Sequence, residues 1–227
     1  MTTRAVLFDY SGTLFRLEED DSWFQGIVVD ERQVDGHVQA ELMRRMTAPT
    51  GRSVEMDDEQ YHKWTNRDLE PHLHHEAYLH VLRESGLTDH HAEALYQKLI
   101  DPANWTPYPD TAAVLESLHR QGIKVAVVSN IAFDLRPAFA ALGVSTHVDE
   151  FVLSFEVGAV KPDPAIFQTA LDRVGVDPGD ALMVGDSEEA DGGALAVGCD
   201  FRLVDPLPTV ERPDGLVAAL RSAGVSV

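Results

Sequence analysis

Three short apolar runs along the chain follow one pattern. Ala5-Val6-Leu7-Phe8 precedes Asp9, Val125-Ala126-Val127-Val128 precedes Ser129-Asn130, and Ala181-Leu182-Met183-Val184 precedes Gly185-Asp186. Unbroken runs of β-branched and aliphatic residues, bounded by turn formers, predict strands buried on both faces of a parallel sheet. Phe151 to Ser154 and Phe201 to Val204 read as two weaker strands. Between these runs the apolar spacing becomes helical. Asp110 or Thr111 can cap a helix carrying Val114, Leu115 and Leu118 that ends at Gly122. Pro164 opens another, with Ile166, Phe167, Ala170 and Leu171 inward and its end near Gly175, and a last helix spans Pro213 to Ala223. Strands alternating with helices predict a Rossmann-like, doubly wound α/β fold whose ligands sit at the carboxyl ends of the strands. The polar residues after the three strong strands then converge on one crevice.

Residues 15–107 break the alternation. Val34, Val38, Leu42 and Met46 recur every four positions, as do Leu73, Ala77 and Val81, joined by Tyr78 and Leu82; Ala92, Leu95 and Leu99 follow. Gly86, Asp101-Pro102 and Pro107-Tyr108-Pro109 punctuate these segments. The expected organisation is a core of residues 1–14 and 108–227 interrupted by an all-helical cap of residues 15–107.

Charge narrows the partners. Against 18 Lys and Arg stand 38 Asp and Glu in 227 residues, a net charge of −20. Nucleic acid is captured by clustered Lys and Arg, so it is excluded as a partner. The acidic Glu18-Glu19-Asp20-Asp21 reads as a solvated entry to the insert. Cys199 is the only cysteine, which rules out an intrachain disulfide and a cysteine-based zinc site and fits a reducing compartment. The apolar run at Ala5 to Phe8 is too short for a signal peptide or a membrane span. The expectation is a cytoplasmic protein with no membrane partner, as monomer or homodimer.

The crevice gathers Asp9, Asp186 and Asp191. Like charges about 4 Å apart repel by about 4 kcal/mol per pair at an effective dielectric near 20, so the cluster calls for a cation. Few, hard oxygen ligands suit Mg2+, which completes its shell with water and phosphate oxygens. With Lys161 added, three carboxylates, one divalent ion and one ammonium sum to zero, and a phosphate dianion can enter.

Val6-Leu7-Phe8-Asp9-Tyr10-Ser11-Gly12-Thr13-Leu14 resembles the first motif of the haloacid dehalogenase-like hydrolase superfamily. Val127-Val128-Ser129-Asn130 is similar to its second motif, Lys161-Pro162 to its third, and Val184-Gly185-Asp186-Ser187-Glu188-Glu189-Ala190-Asp191 to its fourth. All four occur in the family's order, and the insert resembles its helical cap placed after the first motif. The resemblance implies that Asp9 attacks phosphorus and becomes an aspartyl phosphate. It also implies Mg2+ ligation by Asp9, the Ser11 carbonyl and Asp186, with Asp191 ligating or holding the metal's waters. Ser129 and the Asn130 amide would bind a phosphoryl oxygen, Lys161 would offset its charge, and Gly12 would permit close backbone approach. The implied substrate is a small phosphorylated molecule.

One position departs from the family pattern. Its phosphatases usually carry a second Asp two residues after the nucleophile, as acid for the leaving alkoxide and base for water; here Ser11 stands there. A water, Ser11 itself or a cap residue can take over that role, or the substrates need little protonation. Tyr10-Ser11 also resembles the phosphonatase branch, which needs a cap lysine for a Schiff base, and Lys63 is the candidate. A 2-haloacid dehalogenase and a non-catalytic binder of a phosphorylated ligand or partner complete the alternatives. In the cap, His72, His74, His75, His80, His90 and His91 cluster without the i, i+4 pairing of a zinc site; they read as surface or packing residues, several able to charge below about pH 6.5. Trp23, Trp64, Arg67 and Trp105 are candidate substrate contacts.

Overall fold

The computed structural model describes residues 3–18, 20–29, 32–34, 36–47 and 54–227. Glu19 of the acidic run, and Met1 and Thr2, lie outside the described residues. In chain order the elements are β1 (Ala5–Phe8), β2 (Phe15–Leu17), β3 (Val28–Val29), β4 (Arg32–Gln33), α1 (Gly36–Thr47), α2 (Asp58–Asn66), α3 (Pro71–Glu84), α4 (Asp89–Ile100) and β5 (Trp105–Pro107). They continue as α5 (Thr111–Arg120), β6 (Lys124–Ser129), α6 (Arg136–Leu142), β7 (Glu150–Leu153), α7 (Ser154–Val157), α8 (Pro164–Val174), β8 (Ala181–Gly185), β9 (Asp200–Leu203) and α9 (Gly215–Ser222).

Among the described residues one parallel sheet runs in the order β7-β6-β1-β8-β9. Its three central strands, β6 from Val125 on, β1 and β8, are buried on both faces, as unbroken apolar runs require, while β9 at the edge is exposed or half-buried. Val6 and Phe8 pack with Val114 and Leu118 of α5 and with Leu216 and Leu220 of α9. Ala5 and Leu7 point the other way, onto Ile166, Phe167, Ala170 and Leu171 of α8. Each such Leu or Phe contributes about 1.5–3 kcal/mol relative to exposure. The chain moves from β1 outward through β6 to β7, then crosses to β8 and β9 on the other side. That reversal opens the crevice at the carboxyl edge.

Helix α8 begins and ends as its sequence predicts: the Asp163 side chain accepts from Ala165 N at 2.9 Å, and Gly175 closes it at φ +68°. Asp110 does not behave as expected. It makes no side-chain cap on α5; its Oδ2 instead accepts from Leu216 N at 2.8 Å and Val217 N at 3.1 Å, capping α9 from more than a hundred residues away. Thr111 Oγ1 donates to the Leu14 carbonyl at 2.8 Å, tying α5 to the loop after β1.

The insert is mainly α1 to α4, but it is not all helical. β2 pairs antiparallel with β5, Phe15 opposite Pro107 and Leu17 opposite Trp105, so both chain crossings between sheet and insert lie in one ribbon. β3 and β4 form a second short ribbon. In α1 the buried face is Gln39, Leu42, Met43 and Met46, while Val34 lies before the helix. Helix α2 has no apolar repeat to announce it: Trp64 is its buried residue, and a capping box between Asp57 and Gln60 starts it. No helix among the described residues is long and apolar enough to cross a membrane.

Candidate active site

β1 ends at Phe8, and Asp9 follows with its backbone N donating to the Val184 carbonyl of β8 at 3.0 Å. The nucleophile candidate is therefore fixed to the middle of the sheet edge by the ladder itself. Lys161, in the loop between α7 and α8, donates from Nζ to Asp9 Oδ1 and to Asp191 Oδ1, both at 2.6 Å. All three side chains are at least nine-tenths buried. The other Asp191 oxygen accepts from Ser187 N at 3.0 Å. Asp9, Asp186 and Asp191 each present a carboxylate oxygen within 4.8 Å of the others. The expected acidic cluster and its lysine thus come together.

Two glycines keep space for this cluster. Gly12 has φ +73°, and a Cβ on it would lie 2.2 Å from Asp186 Oδ2; one on Gly185 would lie 2.1 Å from Asp191 Oδ2. Ser129 is the buried last residue of β6, at the same edge. The Asn130 side chain faces Lys161: Nδ2 donates to the Lys161 carbonyl at 2.9 Å and Oδ1 accepts from Lys161 N at 2.7 Å. That amide orients the lysine. Ser11 borders both a groove of about 570 Å³, shared with Gly12, Arg16, Met43, Asp186 and Ser187, and a cavity of about 110 Å³ walled in part by residues of the insert.

The electrostatics record an excess of carboxylate. Burial, reinforced by Asp191 and opposed by Lys161, pushes the Asp9 carboxyl up to about 6. Burial and the Asp9 and Asp191 charges push Asp186 up to about 7. Burial alone would lower Lys161, but Asp191 and Asp9 outweigh it and hold the ammonium protonated. Three acids against one base leave the site two charges negative. Together with the space kept by Gly12, this donor set fits a hard divalent cation held by carboxylate oxygens.

Residues of the insert divide between packing and the cavity. Trp64 and Trp105 are buried; the Arg67 guanidinium lies 4.1 Å from the Trp64 ring centroid, and Trp105 packs on Tyr10 at 5.0 Å. Arg67 and Trp105 also line the small cavity, whereas Trp23 packs, partly buried, on the core. Lys63 is bound to Glu59 and Glu76, each at 2.9 Å, and these bonds hold it protonated, which opposes a Schiff-base role. The histidines of the insert are not one group. His75 faces Glu93 at 2.8 Å and His80 faces the Glu55 carbonyl at 3.1 Å. His74 is the packing residue the sequence allowed for: it is buried against the Tyr96 hydroxyl at 3.0 Å, and burial, with Arg67 and His75, lowers its pKa to about 3.

One further residue braces the site without any local sequence signal. Arg212, between β9 and α9, donates from Nη1 to the Gly12 carbonyl at 2.6 Å and from Nη2 to the Thr13 carbonyl, and lies over the Tyr108 ring. Its partners are some two hundred positions away, and a lone arginine in a loop announces nothing.

The sequence model of the haloacid dehalogenase-like hydrolase family matches residues 3–198. Among curated proteins, the haloacid dehalogenase-like hydrolase domain-containing protein 3 of Mus musculus is 36% identical over 143 residues, 59% of this chain and 57% of its own length. A ribulose-1,5-bisphosphate 5-phosphatase of Halopiger xanaduensis is 33% identical over 158 residues, covering 66% of this chain and 65% of its own. The chain thus spans between half and two thirds of the length of these relatives. Among solved structures, a HAD phosphatase from Thermococcus onnurineus superposes with a TM-score of 0.55 at 26% identity, covering 89% of this chain and 86% of its own.

Proposed function

Because the chain belongs to the haloacid dehalogenase-like hydrolases, we propose that it is a Mg2+-dependent phosphatase acting on a small phosphorylated molecule, with Asp9 as nucleophile and residues 15–107 as its cap. The observation that carries this reading is Lys161 Nζ placed 2.6 Å from both Asp9 and Asp191 at the carboxyl edge of the sheet, with Asp186 in reach. Two relatives named as phosphatases support the same class. The excess of carboxylate favours it over a 2-haloacid dehalogenase, whose chemistry has no use for a cation-binding cluster.

In this reading an Asp9 carboxylate oxygen attacks phosphorus and the bond to the leaving oxygen breaks, leaving an aspartyl phosphate that water then hydrolyses. Mg2+, held by Asp9, Asp186 and the Ser11 carbonyl, would supply charge neutralisation for the phosphoryl oxygens. Lys161 holds Asp9 ionised and in line and offsets charge on the transferring group. Ser129 and the Asn130 backbone amide donate to a phosphoryl oxygen. Asp191 accepts from Lys161 and from Ser187 N, so it fixes Lys161 and the loop after β8, and its remaining lone pairs would ligate the metal or hold its waters.

The test is phosphate release from acetyl phosphate, 4-nitrophenyl phosphate and a panel of metabolite phosphates. Turnover is expected with Mg2+, and none after chelation or in Asp9→Asn. A folded wild-type protein that releases phosphate from no member of the panel overturns the enzyme reading and leaves a ligand-binding protein.

A further inference from the structure

The proposed reaction needs a proton for the leaving oxygen, and Ser11 has no carboxyl to give it. We propose that Asp68, carried by the cap, is the general acid for the leaving group and the general base for water. This inference rests on the phosphatase reading above and assigns a residue to the step which that reading leaves open.

Asp68 lies in the short helical turn Arg67–Leu69 between α2 and α3 and lines the cavity of about 110 Å³ together with Ser11, Thr47 and Asn130. Its side chain therefore shares one small space with the position where the family's acid usually stands. The other titratable groups on the walls are unsuited to the task. Arg67 stays protonated. Burial raises Tyr78 further from neutrality, and His74 is held neutral with Nδ1 against the Tyr96 hydroxyl. Burial raises the Asp68 carboxyl, against the pull of Arg67 and Lys161, and a raised carboxyl is better suited to give up a proton to a leaving group than an ordinary one.

Asp68 is also anchored to the catalytic edge. Its backbone carbonyl accepts from Ser154 Oγ at 2.5 Å, and the same Oγ accepts from Ile131 N at 2.8 Å. Ile131 follows Asn130, whose side chain brackets Lys161. One hydroxyl thus pins the cap turn to the loop that orients the lysine. Arg67 Nη2 stands 3.6 Å from Asp68 Oδ2, close enough to stabilise the carboxylate left after proton transfer.

The proton balance closes over one turnover. As Asp9 attacks, the phosphorus–oxygen bond of the ester breaks, its electron pair goes to the leaving oxygen, and that oxygen takes the Asp68 proton and departs as the alcohol. The Asp68 carboxylate then removes a proton from the water that attacks the aspartyl phosphate. Inorganic phosphate leaves, Asp9 is regenerated, and Asp68 is protonated again.

The test compares phenyl phosphate with 2,4-dinitrophenyl phosphate, which differ mainly in how much protonation the leaving oxygen needs. In Asp68→Asn, kcat/KM for phenyl phosphate, which reports the steps up to departure of the leaving oxygen, is expected to fall about 10²- to 10⁴-fold, and that for the dinitrophenyl ester at least tenfold less. Adding Ser11→Asp to Asp68→Asn should recover part of the loss on phenyl phosphate. Melting temperatures of the variants report folding separately. Equal losses of kcat/KM on both esters, or no loss on either, overturn the assignment and leave Asp68 a structural tie. A wild type inactive on both esters, by contrast, overturns the phosphatase reading itself and the inference with it.

Discussion

A buried ionisable side chain takes the charge state its neighbours support, and His74 and Lys161 show the two outcomes. Lys161 keeps its charge because two carboxylates lie 2.6 Å away. His74 has a hydroxyl partner and cationic neighbours, so burial lowers its pKa to about 3. In the unfolded chain the same imidazole takes a proton near 6.5. Below that pH the unfolded state binds a proton that the folded state refuses, so His74 contributes stability that is full above pH 6.5 and is lost as pH falls toward 3. The slope reaches about 1.4 kcal/mol per pH unit. Between pH 6.5 and 5.5, urea unfolding should show the wild type losing about 1 kcal/mol more than His74→Phe. Parallel curves for the two proteins would mean that His74 titrates normally when folded.

At the scale of elements, what was legible in the sequence is what neighbours along the chain determine. The three strong strands, the Pro164 start and Gly175 end of α8, and the acidic residue after each of β1 and β8 all follow from runs and caps a few residues long. Asp9, Asp186, Asp191 and Lys161 were legible for the same reason, since each belongs to a local motif. The partnerships that hold the site are not local. The Asn130 side chain, to which the sequence assigned nothing, brackets Lys161; Arg212 braces Gly12 and Thr13; the carbonyl of Asp68 in the insert meets Ser154 Oγ. Asp110 is the clearest instance, because its position before α5 is that of an N-cap, yet its carboxylate serves α9. Asp110→Ala is accordingly expected to cost about 1 kcal/mol in urea unfolding. The loss should appear as reduced hydrogen-exchange protection at the start of α9, with α5 unchanged. Loss of protection confined to α5 would restore the local reading.

For the whole molecule, the net charge of −20 and the acidic cluster make separate claims about cations. Any salt screens a strongly acidic surface and lowers its self-repulsion, without regard to which ion is used. The proposed site of Asp9, Asp186 and the Ser11 carbonyl would instead bind one ion in the folded state and none in the unfolded, and so would stabilise by mass action, about 2.7 kcal/mol at a hundred times the dissociation constant. In a chain of 227 residues that corresponds to a rise in melting temperature of roughly 5 to 10 °C. Magnesium chloride should therefore raise the melting temperature beyond sodium chloride of equal ionic strength, and Asp186→Asn should abolish the excess while keeping the common salt effect. A magnesium effect matched by sodium, or retained in Asp186→Asn, would assign the stabilisation to the acidic surface. The measurement needs no substrate, so it separates the metal site from the choice of phosphate ester and from the proton carried by Asp68.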